Sequence, residues 1–100
     1  MIDWNRVDEL RTEVGPEDFI EVVDLFLEEV DEIIDRFRNG AQEENLEETL
    51  HFLKGSALNI GFSHLATLCS HAGTAPSDIV AAYDAACQEF LETIQVKYAA

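Results

Sequence analysis

Residues 50–62 read LHFLKGSALNIGF, and their apolar side chains recur at the spacing of a packed helix. A histidine, a lysine and a glycine interrupt this pattern at His51, Lys54 and Gly55. Glycine inside a helix costs about 1 kcal/mol relative to alanine, so its presence calls for a reason other than helix stability. These three residues are therefore the first candidates for function.

A helical wheel places the three candidates away from the core. The apolar stripe of this segment consists of Leu46, Leu50, Leu53, Ala57 and Ile60. At about 100° per residue, His51 lies about 140° from the centre of the stripe, Lys54 about 80° and Gly55 about 180°. The imidazole should face water, and the missing Cβ one turn away would let another molecule approach it closely. Leu58, at about 120°, would belong to the same docking patch.

The charge distribution makes Lys54 unusual. The chain has 21 acidic and 6 basic residues, and Lys54 is the only Lys or Arg between Asn39 and Val96. A solitary cation near an exposed histidine suits an anion that is formed on that histidine. Because neutral imidazole has a nucleophilic lone pair, the pattern predicts that His51 accepts a phosphoryl group.

The remaining sequence predicts an all-α protein, an antiparallel four-helix bundle with a short N-terminal helix packed across one end. One hundred residues fit a single domain, 1–100. The first two helices are expected at about 3–13 and 16–38, and a fourth at about 63–72. The third should begin after Asn45 as N-cap and end at Gly61. The last should begin near Ser77 or Asp78, after Pro76.

Composition limits the classes of partner. A formal charge of −15 argues against nucleic acid and anionic membranes and favours a protein partner. Cys69 and Cys87 are expected to be reduced thiols, since two isolated cysteines do not form a disulfide framework. No signal peptide follows Met1, and no apolar run approaches the ~20 residues that cross a bilayer, so we expect a cytoplasmic protein.

The motif itself resembles that of a known family. Residues His51-Phe52-Leu53-Lys54-Gly55-Ser56-Ala57, followed by Gly61, are similar to the H-x-L-K-G-S-[SA]…G signature of histidine-containing phosphotransfer (HPt) domains of bacterial and fungal phosphorelays. The opening at Gly15, Glu17, Asp18 and Phe19 also resembles that family.

The resemblance implies a phosphoryl carrier that lacks a kinase site. His51 would accept the phosphoryl group from the aspartate of one response-regulator receiver domain and pass it to another. Lys54 would stabilise the phosphate, and Gly55 would leave space for the receiver. Magnesium would come from the receiver, so we expect no metal or other cofactor in this chain. Receiver domains are the implied partners, with a hybrid sensor kinase as a further candidate and a monomer as the expected state.

In one respect the sequence departs from that family. Many members carry a Gln or Glu on the next helix that orients the imidazole, whereas residues 69–74 here read CSHAGT. The candidates for this orienting role are Ser70, His71, Thr74, Glu47 and Glu48.

Other assignments follow from position alone. Phe52 and Phe62 flank the histidine face and are candidates, with Leu58, for a docking rim. One alternative function is an adaptor that binds receivers without transferring phosphate. Another is a small metal or redox protein that uses His64, His71 and the two thiols, although no third metal ligand is indicated.

Overall fold

The computed structural model describes residues 2–40, 45–71 and 73–98. These residues form five α-helices and no strand, which confirms the all-α prediction. The helices are α1 (Trp4–Val14), α2 (Phe19–Arg38), α3 (Leu46–Ile60), α4 (Ser63–Ser70) and α5 (Pro76–Lys97). Within the described ranges, none of them combines the length and apolar character needed to span a membrane.

α1 lies at the end of the bundle where α3 and α5 finish. The Asp3 N–H donates to the carbonyl oxygen of Gly61, just beyond α3, at 2.7 Å. The Trp4 ring stacks on Phe90 of α5 with centroids 5.7 Å apart. These contacts place the N-terminal helix across one end, as the sequence predicts.

α2 and α5 run antiparallel. Phe19, at the start of α2, makes an edge contact with Tyr98, just past the end of α5. At the opposite end of α2, the Arg38 guanidinium binds both carboxylate oxygens of Asp84 at 2.8 and 3.1 Å. Hydrogen bonding to Arg38 lowers the pKa of the Asp84 carboxyl.

One hydrophobic core joins the helices. Its largest fully buried side chains are Phe19, Phe62, Phe90, Ile34, Leu53, Leu65, Ile79, Val7 and Val23. Burial of such side chains contributes about 1.5–3 kcal/mol each before entropy is counted. The core holds the helix that carries the candidate site against three others.

Both ends of α3 are capped by the residues that the sequence predicts. The Asn45 side chain accepts the Glu48 N–H at 3.1 Å. Gly61 has φ +90°, a left-handed conformation in which glycine has no Cβ to clash. The boundaries of α3 are therefore set by local capping.

α2 starts later than predicted. Residues 16–18 form a turn in which the Asp18 N–H donates to the Gly15 carbonyl oxygen at 3.1 Å. Regular helix begins only at Phe19, although Pro16 is a favourable first helical residue. The turn after Gly15 delays the helix by three residues.

The ends of α4 and α5 also differ from the prediction. α4 ends at Ser70 because His71 is extended, with ψ 121°, while Ala72 lies outside the described residues. α5 begins at Pro76 itself, before Ser77. Proline fits the first helical position since its missing N–H would have no partner there.

Candidate functional site

α3 presents His51 and Gly55 to solvent. Leu53, Ala57 and Ile60 are 0%, 1% and 3% exposed, respectively, so the opposite side of the helix packs into the core. His51 and Gly55 are exposed, and Lys54 lies at the boundary. The predicted orientation of the imidazole is confirmed.

The space over Gly55 is open. Gly55 lies inside α3, and a Cβ added there would meet no atom within 4 Å. Neither its own backbone nor a neighbouring side chain requires glycine, in contrast to Gly61, where a Cβ would lie 2.8 Å from the Asp3 carbonyl oxygen. The predicted gap beside the imidazole is present.

The His51 side chain lines a groove between α3 and the end of α4. The volume of this groove is about 590 Å³. Its lining side chains are Leu46, Glu47, Leu50, His51, Lys54, Cys69, Ser70 and His71. The groove thus brings together five candidate residues, three from α3 and two from the end of α4.

Leu46 is not buried with the rest of the predicted apolar stripe. It is 46% exposed and lies on the groove wall, whereas Leu53, two turns further along α3, is fully buried. The short connection between α3 and α4 makes the two helices antiparallel neighbours, so the start of α3 lies beside the end of α4. That connection is the sequence signal for the groove.

Lys54 has no carboxylate partner among the described residues. By contrast, ion pairs are formed by Arg6, Arg38 and Lys97. The Arg11 guanidinium lies over the ring of Tyr98. In a chain of formal charge −15, an ammonium group beside the groove is available to an incoming anion.

The orienting residue for the imidazole stays a prediction. Among the described residues, none forms a hydrogen bond with the His51 ring. Ser70 and His71 line the groove with His51, as does Glu47. Glu48 and Thr74 are not among the lining residues, and the Thr74 hydroxyl instead donates to the His71 carbonyl oxygen at 3.0 Å.

Two of the three residues predicted for a docking rim are exposed. Phe52 and Leu58 are 45% and 52% exposed, so both are accessible to a partner. Phe62 is 1% exposed, and its ring contacts Phe90 edge to face with centroids 5.6 Å apart. The assignment of Phe62 to the rim is wrong.

The turn at the end of α3 explains the burial of Phe62. Its N–H donates to the Ala57 carbonyl oxygen at 2.7 Å, which is the six-to-one hydrogen bond of a Schellman motif. The residue after the left-handed glycine packs back against the helix in this motif. In the sequence, a glycine followed by an apolar residue at the end of a helix is the signal for this motif. The helical wheel of α3 could not place Phe62, because the helix ends before Gly61.

The two cysteines have different environments but neither favours a thiolate. Burial raises the pKa of the Cys69 thiol to about 11. Burial also raises the pKa of Cys87. Cys69 therefore contributes a neutral, buried thiol to the groove wall at pH 7.

The described part of the chain contains no group of three or more His, Cys, Asp or Glu side chains placed to hold a metal ion. His64 lies in a separate groove with Leu68 and Asp78, away from the one that His71 lines. The two histidines therefore do not share a site.

Comparison with known families identifies the class of this fold and site. A family model described as "Hpt domain" matches residues 21–96, which is most of the chain, and the protein belongs to this family. Comparisons with curated proteins and with solved structures found no match.

The match has direct consequences for function. An Hpt domain is a histidine phosphotransfer module of two-component phosphorelays and lacks a kinase site of its own. Members of the family interact with response-regulator receiver domains.

Proposed function

We propose that His51 accepts a phosphoryl group from the phospho-aspartate of one receiver domain and passes it to the aspartate of another. The observation that carries this proposal is the exposed imidazole of His51 one helical turn from Gly55, where an added Cβ would have no atom within 4 Å. A receiver can therefore bring its aspartate to the ring without a steric barrier.

The bonds that change in the transfer lie between the imidazole ring, the phosphoryl group and the receiver carboxylate. A lone pair of one ring nitrogen forms the N–P bond as the O–P bond to the receiver aspartate breaks, and the bonding electrons leave with the carboxylate. Phosphoryl transfer depends mainly on positioning and charge stabilisation. Lys54 supplies positive charge from this chain, and the magnesium ion belongs to the receiver.

Docking is supported by the surface around the ring. Phe52 and Leu58 offer apolar area next to Gly55 on the outward side of α3. The acidic face of α2 would attract a receiver that carries basic residues around its aspartate, over a screening length of about 8 Å at physiological salt. Apolar contact would give affinity and the acidic charge would speed association.

The test is transfer from a receiver labelled with ³²P-phosphate. Wild-type protein should acquire the label and His51→Gln should not, at equal helicity by circular dichroism. His64→Gln is the matched control, because His64 is an exposed histidine in a different groove. Equal labelling of His51→Gln and wild type would refute the proposal. Binding of the receiver without any labelling would instead establish the adaptor function.

A further inference from the structure

The groove beside His51 has two walls that carry polar groups. Glu47 and Lys54 lie on α3 with the imidazole, and Ser70 and His71 lie at the end of α4. A phosphoryl group on His51 would project into the space between these walls. Its oxygens need hydrogen-bond donors, because they carry most of the charge.

Only some of the groove side chains have a proton to offer. The Ser70 hydroxyl donates to the Ala66 carbonyl oxygen at 3.0 Å, so its proton is already used. The Glu47 carboxylate has none and would repel a phosphoryl group. An imidazole always carries at least one N–H. The Cys69 thiol is largely buried, and an S–H is only a weak donor. His71 is therefore the strongest available donor on the α4 wall.

The backbone of His71 is held while its ring is exposed. Its N–H donates to the Leu68 carbonyl oxygen at 3.2 Å, and its own carbonyl oxygen accepts the Thr74 hydroxyl at 3.0 Å. The residues that the structure describes form no hydrogen bond or ion pair with the ring. The peptide is thus fixed at the groove edge, and the ring nitrogens are available.

We propose that the His71 ring donates an N–H hydrogen bond to the phosphoryl group carried by His51. Lys54 and His71 then hold the group from opposite walls of the groove. This role rests on the proposed function, and it differs from orienting the unmodified imidazole since it applies only after phosphorylation. His71 is a positioning residue for the phosphorylated state.

The equilibrium of transfer tests this role. Loss of the donor destabilises phospho-His51 without changing the receiver, so His71→Leu should lower the equilibrium constant for transfer to His51 by about tenfold. His71→Gln keeps an N–H donor and should restore a value close to wild type. His64→Leu, the same substitution at the exposed histidine of the other groove, should leave the constant unchanged.

A second measurement needs no receiver. Potassium phosphoramidate phosphorylates histidine directly, and ¹⁵N-labelled histidine reports each ring by NMR. In wild-type protein that carries the phosphoryl group on His51 alone, as verified by mass spectrometry, the ring N–H resonance of His71 should shift and that of His64 should stay in place. The His71 shift should be absent in His51→Gln. An unchanged His71 resonance in phosphorylated wild type would overturn the proposal.

The two experiments separate the possible failures. If a phosphorylated receiver fails to label wild type, the carrier function is wrong, and the ring resonance still decides whether His71 contacts the phosphoryl group. If wild type is labelled but His71→Leu shows the wild-type equilibrium constant, His51 remains the acceptor and the role of His71 is wrong.

Discussion

The N–H of Asp3 donates a 2.7 Å hydrogen bond to the carbonyl oxygen of Gly61, which joins the start of α1 to the end of α3. Next to it, Arg6 Nε donates to the carbonyl oxygen of Asn59 at 3.0 Å. These bonds satisfy carbonyl groups at the end of α3 that have no partner within the helix. α1 thus anchors the helix that carries His51.

Gly61→Ala should destabilise the fold through this junction. The added Cβ would lie 2.8 Å from the Asp3 carbonyl oxygen and 3.0 Å from Val7 Cγ2, at φ +90°. We expect a loss of about 2–4 kcal/mol in the free energy of unfolding, measured by urea denaturation. Gly40→Ala, at φ +74° with no atom within 4 Å of an added Cβ, is the matched control and should lose about 1–2 kcal/mol. Equal losses would contradict the close approach of α1.

Gly55→Gln should separate folding from docking. The side chain has room in the free protein, and removal of an interior helix glycine should stabilise α3 by up to about 1 kcal/mol. The same side chain would occupy the space that the receiver needs, so transfer should fall at least about a hundredfold. Gly55→Ala is the small-side-chain control and should transfer better than Gly55→Gln. Wild-type transfer rates for Gly55→Gln would show that no close approach occurs there.

Lys54→Ala should slow formation of phospho-His51. Loss of a cation near the phosphoryl oxygens should reduce the transfer rate by about five- to tenfold, with less effect at high salt. Lys97→Ala changes the net charge equally, and Lys97 lies at the α1 end of the molecule beside Asp8. Stopped-flow or quenched-flow labelling of both variants measures the difference. The same rate for the two variants would mean that Lys54 acts only through net charge.

Phe62→Ala should mainly reduce stability, and Phe52→Ala should mainly reduce receiver binding. Phe62 is buried against Phe90, and truncation should cost about 3–5 kcal/mol of stability. Phe52 is 45% exposed, so its truncation should cost less than about 1 kcal/mol while weakening receiver binding. Thermal unfolding and a receiver-binding titration measure the two effects. A stable Phe62→Ala protein would contradict the observed core.

The sequence predicts what depends on helical periodicity and capping. The outward position of His51 and Gly55 follows from a wheel whose inward side is fixed by Leu53 and Ala57. The limits of α3 follow from Asn45, whose side chain caps its first turn, and from a glycine at its end. The orientation and the ends of α3 thus depend on residues within or next to the helix, so they could be predicted from the sequence.

Tertiary pairing accounts for what the sequence could not provide. The short connection between α3 and α4 indicates that the two helices are neighbours, but their packing decides that His71 lies in the groove wall opposite Lys54. Phe62 enters the core because the chain reverses direction after Gly61. Lys54 has no carboxylate partner among the described residues because the nearby carboxylates lie elsewhere in the packed bundle, and no spacing rule specifies that.

The most direct test of the central claim is to map the phosphoryl group on the intact protein. After incubation with a phosphorylated receiver, tandem mass spectrometry under conditions that preserve phosphoramidate bonds should locate the group. We predict an acid-labile phosphate on His51, with His64 and His71 unmodified. A phosphate on either of those histidines, or an unmodified His51 in protein that has taken up the label, would contradict this claim.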